Sequence, residues 1–87
     1  MNPSTLNTLG YCYENGIGTN TNDFEAFESY QKAANLRHLD GLCNLGRCYE
    51  NGIGTDINNL KTFESYQKAA DLENLYGINN LEWCYEN

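Results

Sequence analysis

The sequence predicts an all-α protein built of stacked helix hairpins, and three recurrences within the chain support that fold class. A shift of 36 residues places LGYCYENGIGT of residues 9–19 on LGRCYENGIGT of residues 45–55, and FESYQKAA occurs at both 27–34 and 63–70. The same shift places CYEN of residues 48–51 on CYEN of residues 84–87. A fixed period of this length is typical of repeat architectures, in which neighbouring units bury each other's apolar faces. We therefore expect repeats over 1–36 and 37–72, then over 73–87 the first helix of a truncated third repeat.

The first helix of each repeat is predicted by its apolar spacing and by the residues that end it. From Leu42 to Tyr49, apolar or small residues recur at the i, i+3, i+4 and i+7 positions of an amphipathic helix. Gly52 then suits the left-handed position that ends a helix, and Ile53 can make the hydrophobic contact of such a cap. The pattern predicts first helices over 4–15, 39–51 and 75–86.

The second helix of each repeat is predicted to begin after an asparagine and to turn one apolar face inward. Asn58 or Asn59 is a suitable N-cap, because its side-chain oxygen can accept a hydrogen bond from the first turn. We expect second helices over 23–36 and 59–72 and no strands. The predicted inward face comprises Phe24, Phe27, Tyr30, Ala33 and Ala34 in the first repeat and Leu60, Phe63, Tyr66, Ala69 and Ala70 in the second.

The spacing Leu-Gly-x-x-Tyr-x-x-Gly-x-Gly, followed by Phe-x-x-Tyr-x-Lys-Ala-Ala, resembles the Sel1-like repeat, a relative of the tetratricopeptide repeat. The resemblance implies a right-handed α-α superhelix (solenoid) of about two and a half units, serving as a scaffold or adaptor within a longer protein. It also leaves open a regulatory array attached to a catalytic domain such as a kinase. The structural positions that match are Tyr13, Gly16, Gly18, Phe27 and Tyr30 in the first repeat and Tyr49, Gly52, Gly54, Phe63 and Tyr66 in the second.

Composition narrows the class of partner. The formal net charge is −7 with five Lys and Arg, so we expect no groove for nucleic acid. No apolar run approaches the roughly 20 residues of a membrane span. The start, MNPSTLNTLG, lacks the basic and apolar regions of a signal peptide. These features predict a cytoplasmic protein without membrane insertion, whose partner is a protein or peptide.

Ser29 with Lys32, and Ser65 with Lys68, have the serine–lysine spacing of some acyl-transfer enzymes. Such a serine needs a shielded helix start and an oxyanion hole. These serines instead fall in mid-helix on the predicted polar face, where each lysine follows a glutamate by four residues and can form a surface pair. We therefore predict no enzyme and no catalytic residue. An acylating enzyme or β-lactam-binding protein remains a remote alternative, since penicillin binding has been associated with cysteine-rich members of the family that the chain resembles.

The cysteines are predicted to be small hydrophobic residues. Cys12, Cys48 and Cys84 occupy the same position of successive repeats, about 10 Å apart in a helix stack and beyond the roughly 4.4–6.8 Å that a disulfide requires. Cys43 lies on another arc, where we expect an exposed thiol. The spacing of His38, Cys43 and Cys48 does not match a zinc motif, so no metal or other cofactor is predicted.

The concave face of a helical solenoid, lined by first helices, is the predicted partner-binding surface. One position on it varies as Tyr11, Arg47 and Trp83, residue types that dominate interface hot spots. The alternative is plain solvated surface, which varies because nothing constrains it. We also expect that self-association is possible through an open C-terminal end. The candidate face comprises Thr8, Tyr11, Asp40, Asn44, Arg47, Tyr76, Asn80 and Trp83.

Overall fold

The computed structural model describes residues 1–75, which form helices and no strand. The helices are α1 (Pro3–Asn15), α2 (Asp23–Asn35), α3 (Leu39–Asn51) and α4 (Asn59–Leu75). The predicted all-α class is therefore confirmed over the described part of the chain. The predicted helix over 75–86 lies outside the described residues, apart from Leu75 at the end of α4.

Matching turns end the first helix of each repeat. Gly16 and Gly52 adopt left-handed φ angles of 69° and 72°, a conformation that glycine reaches without a Cβ penalty. The amides of the isoleucines that follow donate to the carbonyls of Cys12 and Cys48, each at 2.9 Å. These local signals place the ends of α1 and α3 at the same position of both repeats.

The second helices begin at equivalent asparagines. The Oδ1 atom of Asn22 accepts from the amide of Glu25 at 3.0 Å, and that of Asn58 accepts from Lys61 at 3.0 Å. Each bond satisfies one of the amides that a helix start leaves unpaired. Of the two N-cap residues that the sequence allowed, the structure uses Asn58.

The two second helices end differently. After α2, Arg37 adopts a left-handed φ of 60°, and its amide donates to Ala34 at 2.9 Å. The equivalent residue of the second repeat, Glu73, stays within α4, which runs to Leu75 instead of ending at the predicted residue 72. A non-glycine residue in the left-handed region costs roughly 1–2 kcal/mol, and the helix avoids that cost by continuing.

Glycines of the first helices let the second helices approach closely. A Cβ atom at Gly10 would lie 2.6 Å from Cε1 of Tyr30, and one at Gly46 would lie 2.7 Å from Cε1 of Tyr66. A tyrosine ring therefore lies against a bare helix backbone in each hairpin. Between the hairpins, a Cβ at Gly41 would lie 2.8 Å from Cβ of Ala33.

Helix α2 contacts a helix on each of its two sides, and the core lies along these contacts. Helix α2 packs against α1 within its own repeat and against α3 of the next, α3 packs against α4, and α1 also contacts α3. Ala26, Tyr30 and Cys48 are completely buried at the junction of the two repeats. The hairpins are thus joined by a shared apolar junction.

The buried face of the second helices is centred differently from the predicted one. Phe24, Leu60 and Phe63, predicted to point inward, are all largely exposed. Ser29 and Ser65, predicted on the polar face, are buried. The difference arises because the second helices approach their neighbours along their smallest residues. The buried arc of α2 is therefore centred on Ala26 and Ala33. No helix among residues 1–75 is both long and apolar enough to cross a membrane.

Candidate partner-binding groove

A groove of about 350 Å³ runs between α1 and α3. Four residues of the predicted partner face line it, namely Tyr11, Asp40, Asn44 and Arg47. Thr8 is exposed but does not line the groove, and its hydroxyl donates to the carbonyl of Ser4 at 3.0 Å. The other predicted face residues, Tyr76, Asn80 and Trp83, lie outside the described residues. The remaining lining residues are Asn7, Glu14, Asn15 and Cys43.

Helical spacing accounts for how the groove is assembled. Residues 7, 11 and 14 of α1 and residues 40, 44 and 47 of α3 each stand at i, i+4 and i+7. Residues at this spacing share one face of a helix. Because α1 contacts α3, the two polar faces meet along one line.

Arg47 is bound to Glu14 of the neighbouring repeat. Its Nη1 donates to Oε2 and its Nη2 to Oε1, each at 2.7 Å, so the pair is bidentate. The Tyr30 hydroxyl donates to the same Oε1 at 2.8 Å. Both charged side chains are about one-fifth exposed, at 20% and 18%. Arg47 therefore links the repeats, and its donors on this side are occupied.

The cluster shifts the proton affinities of its members. The hydrogen bonds from Arg47, then that from Tyr30, lower the pKa of Glu14 against the opposing effect of burial. Burial, with the nearby carboxylate of Glu14, raises the pKa of Tyr30. Glu14 is thus held as a carboxylate and Tyr30 as a neutral hydroxyl donor.

The sequence predicts Arg47 on the partner-binding face but does not predict its hydrogen bonds to Glu14. Glu14 was not a candidate, because an interaction across 33 residues is invisible in the projection of a single helix. A signal was available, since Tyr30 and Tyr66 each follow by 16 residues the glutamate to which they donate. That repeated spacing marks the glutamate as a structural position in both hairpins.

Polar amide groups form the middle of the groove. The Nδ2 group of Asn44 donates to Oδ1 of Asn7 at 2.9 Å, which bridges α3 and α1. Each amide retains further hydrogen-bonding capacity, because an asparagine has two donor hydrogens and an acceptor with two lone pairs. Tyr11 stands beside them with 56% of its surface exposed. The groove offers an aromatic side chain, amide groups and the carboxylate of Asp40.

The family model of the Sel1 repeat matches residues 5–38 and again residues 39–74. The chain belongs to the Sel1 repeat family. Sel1 repeats are generally non-catalytic protein-interaction modules. No curated protein and no solved structure matches the chain.

The cysteines of this Sel1 repeat protein differ in their environments. Cys48 is completely buried, and burial raises its pKa to about 12, which suits an inert small hydrophobic residue. Cys12 is half-buried and unbridged. Among residues 1–75, no group of three or more His, Cys, Asp or Glu side chains is placed to hold a metal ion.

The expectation of an exposed thiol at Cys43 is wrong. Cys43 is 3% exposed and disulfide-bonded. It belongs to the buried cluster that includes Leu42, Tyr66 and Ala69, and the projection of a single helix did not include these contacts with other helices. Disulfides persist mainly in oxidising compartments, so this bond does not support the predicted cytoplasmic location.

The two Ser-x-x-Lys pairs have different surroundings. The hydroxyl of Ser29 donates to the carbonyl of Glu25 at 2.9 Å, one turn earlier in α2. Ser65 and Lys68 line a separate cavity of about 410 Å³ together with Arg37 and Asp71. Both serines lie in mid-helix, where backbone amides are already bonded within the helix. Neither therefore has an oxyanion hole from its own backbone.

Proposed function

We propose that the chain is a non-enzymatic scaffold or adaptor whose Sel1 repeats, over 1–36, 37–72 and 73–87, stack as a right-handed superhelix and hold a protein or peptide in the groove between α1 and α3. The groove itself carries this proposal, because it gathers four residues of one predicted face along two neighbouring helices. The family supports the class of function, and the groove is the proposed location of the binding site.

Tyr11 is the proposed anchor for the partner. It is more than half exposed beside the groove, and tyrosine is enriched among residues that dominate binding energies. Arg47 is a poorer anchor than its residue type suggests, since Glu14 already takes both of its inward donors. Tyr11 is therefore a better candidate than Arg47 for the residue that contributes most to partner binding.

The proposed partner is an extended segment with basic residues. The bridged amides of Asn7 and Asn44 can pair with the amides and carbonyls of a peptide backbone. Asp40 lines the same groove, and the whole chain carries a net charge of −7. Charge complementarity therefore favours a basic segment and weaker binding at high salt.

The test is selection of peptides from a displayed random library on the immobilised protein, followed by measurement of their Kd. We expect Tyr11→Ala to weaken binding by at least about tenfold, as for an interface hot spot. Phe24→Ala is the matched control, because Phe24 is an aromatic residue of nearly equal exposure, 57% against 56%, outside the groove. Peptides that bind Tyr11→Ala as tightly as the wild type would overturn the proposal.

A further inference from the structure

We propose that the cavity of about 410 Å³ between the end of α2, α3 and α4 binds a small amphipathic carboxylate, an organic acid with an anionic head and an apolar chain. The cavity shares no lining residue with the groove between α1 and α3, so this site is separate from the proposed partner-binding groove. The polar lining residues are Asn35, Arg37, Ser65, Lys68 and Asp71, and the apolar ones are Ala34, Leu42, Leu45 and Leu72.

Positive charge is concentrated in this cavity. Two of the five Lys and Arg residues of the chain, Arg37 and Lys68, line it. Within residues 1–75 the one salt bridge joins Arg47 to Glu14, so neither cation of the cavity has an ion-pair partner there. Asp71 is the single acidic residue of the described lining, and it accepts a hydrogen bond from within α4. The surplus of one positive charge, in a chain of net charge −7, matches a monoanion such as a carboxylate.

The hydroxyl of Ser65 is an unused hydrogen-bond donor in the same lining. Ser29 and Ser65 occupy the same position of the two FESYQKAA segments and are 5% and 6% exposed. The Ser29 hydroxyl donates to the carbonyl of Glu25 at 2.9 Å, whereas that of Ser65 makes no hydrogen bond with any of residues 1–75. Buried polar groups are usually paired, because an unpaired one has lost its water without replacement. A carboxylate in the cavity would accept this hydrogen bond.

The backbone of Arg37 is held in a conformation that its residue type disfavours. With a φ of 60°, Arg37 is the one non-glycine residue among 1–75 that has a positive φ. Glycine reaches this region without the Cβ penalty that other residues carry. Strained backbone positions of this kind cluster at ligand-binding sites. Here the strained residue places a cation beside the cavity.

The apolar lining determines the kind of acid. Leu42, Leu45 and Leu72 are buried residues of one core cluster, so the cavity ends on the hydrophobic core between α3 and α4. An inorganic anion would leave this apolar surface without a partner. An alkyl or aryl chain would cover it while the carboxylate contacts the cations. The volume lies within the roughly 300–1,000 Å³ of typical small-molecule sites.

NMR titration of the ¹⁵N-labelled full chain with octanoate tests the proposal. We expect a Kd of about 0.2–5 mM, as for a ligand of roughly ten non-hydrogen atoms. The amide shifts should be concentrated at the lining residues. Octanol, which has the same chain without the charge, and inorganic phosphate should each bind at least about tenfold more weakly. An absence of shifts at about 20 mM octanoate would overturn the proposal.

Matched substitutions in the two repeats locate the site. Lys68→Ala and Ser65→Ala should each weaken octanoate binding by about three- to tenfold, because each removes one donor to the carboxylate. Lys32→Ala and Ser29→Ala are the controls, since these residues have the same sequence context outside the cavity and should leave the Kd unchanged. Circular dichroism checks that each variant keeps its helices. Wild-type affinity in both Lys68→Ala and Ser65→Ala would show that octanoate binds elsewhere.

Arg37→Gly separates binding from stability. Glycine relieves the left-handed backbone and keeps the amide that donates to Ala34, so the Tm should stay equal or rise. Octanoate binding should nevertheless weaken by about three- to tenfold, because the cation is lost. A merely structural Arg37 would give the variant an unchanged affinity, and that result would contradict the proposed site.

A comparison of two ligands distinguishes the sources of the same chemistry, a free organic acid and the end of a peptide. Octanoate represents the first, and acetyl-alanyl-leucine with a free carboxylate represents the second. Whichever binds more tightly identifies the source, and in either case the peptide amide should not bind. Equal affinity for octanoate and octanol would overturn the proposal, since the cavity would then be an apolar site. Tighter binding of inorganic phosphate than of octanoate would also overturn it.

Discussion

Arg47 of the second repeat holds Glu14 of the first through two hydrogen bonds of 2.7 Å. Tyr30 donates to the same carboxylate from the second helix of the first repeat. In the second repeat, Tyr66 donates to Glu50 at 3.1 Å in the same way. The glutamate–tyrosine bond thus closes each hairpin, and Arg47 adds the link from one hairpin to the next.

Removing that link should destabilise the protein. Arg47→Ala leaves Glu14 with only its bond to Tyr30, and charge-assisted hydrogen bonds contribute about 1.5–3 kcal/mol. Partial exposure of the pair puts the expected loss in the free energy of unfolding near the lower end, about 1–2 kcal/mol. Urea unfolding measures it, with the exposed Lys32→Ala as the control. Equal stability of the two variants would show that the bidentate pair contributes nothing.

The same carboxylate should make stability depend on acid pH. Arg47 lowers the pKa of Glu14 below 4.5, so the charged form is favoured in the folded state. A group whose pKa falls on folding contributes stability above its unfolded pKa, and that contribution is lost as pH falls through the folded pKa. The stability advantage of wild type over Glu14→Gln should therefore shrink from about pH 5 to pH 3. Urea unfolding across that range measures it, and an advantage independent of pH would contradict the assignment.

Local signals predicted the helices, and long-range contacts limited the prediction of the surface. Gly16 and Gly52 mark helix ends within a few residues of sequence, so their helices were placed correctly. The burial of Ser29 and the exposure of Phe63 depend on which helices flank α2 and α4. The projection of a single helix does not include the neighbouring helices, so it could not predict this burial. Tyr11 and Arg47, which were predicted on one face, line the same groove, but the partner of Arg47 came from another repeat.

The two turn glycines should respond differently to the same substitution. Gly18 and Gly54 have φ angles of 77° and 70°, so alanine at either costs roughly 1 kcal/mol for the left-handed backbone. At Gly54 the added Cβ would also lie 2.8 Å from Cβ of Phe27 and overlap the carbonyl of Asp23. Gly54→Ala should therefore lower the free energy of unfolding by about 1–3 kcal/mol more than Gly18→Ala. Thermal unfolding at micromolar concentration compares them, and equal losses would show that the turn does not contact α2 closely.

The cavity beside Ser65 makes acylation a direct test of the remaining enzymatic alternative. Ser65 and Lys68 line it with Arg37, but Ser65 lies in mid-α4, where the backbone amides are bonded along the helix. Without free amides at the serine, the oxyanion of an acyl transfer has no backbone donors at the site of attack. Incubation with a fluorescent penicillin should leave the intact mass unchanged. A single covalent adduct that persists in Ser29→Ala and disappears in Ser65→Ala would establish a nucleophile and contradict the non-enzymatic assignment.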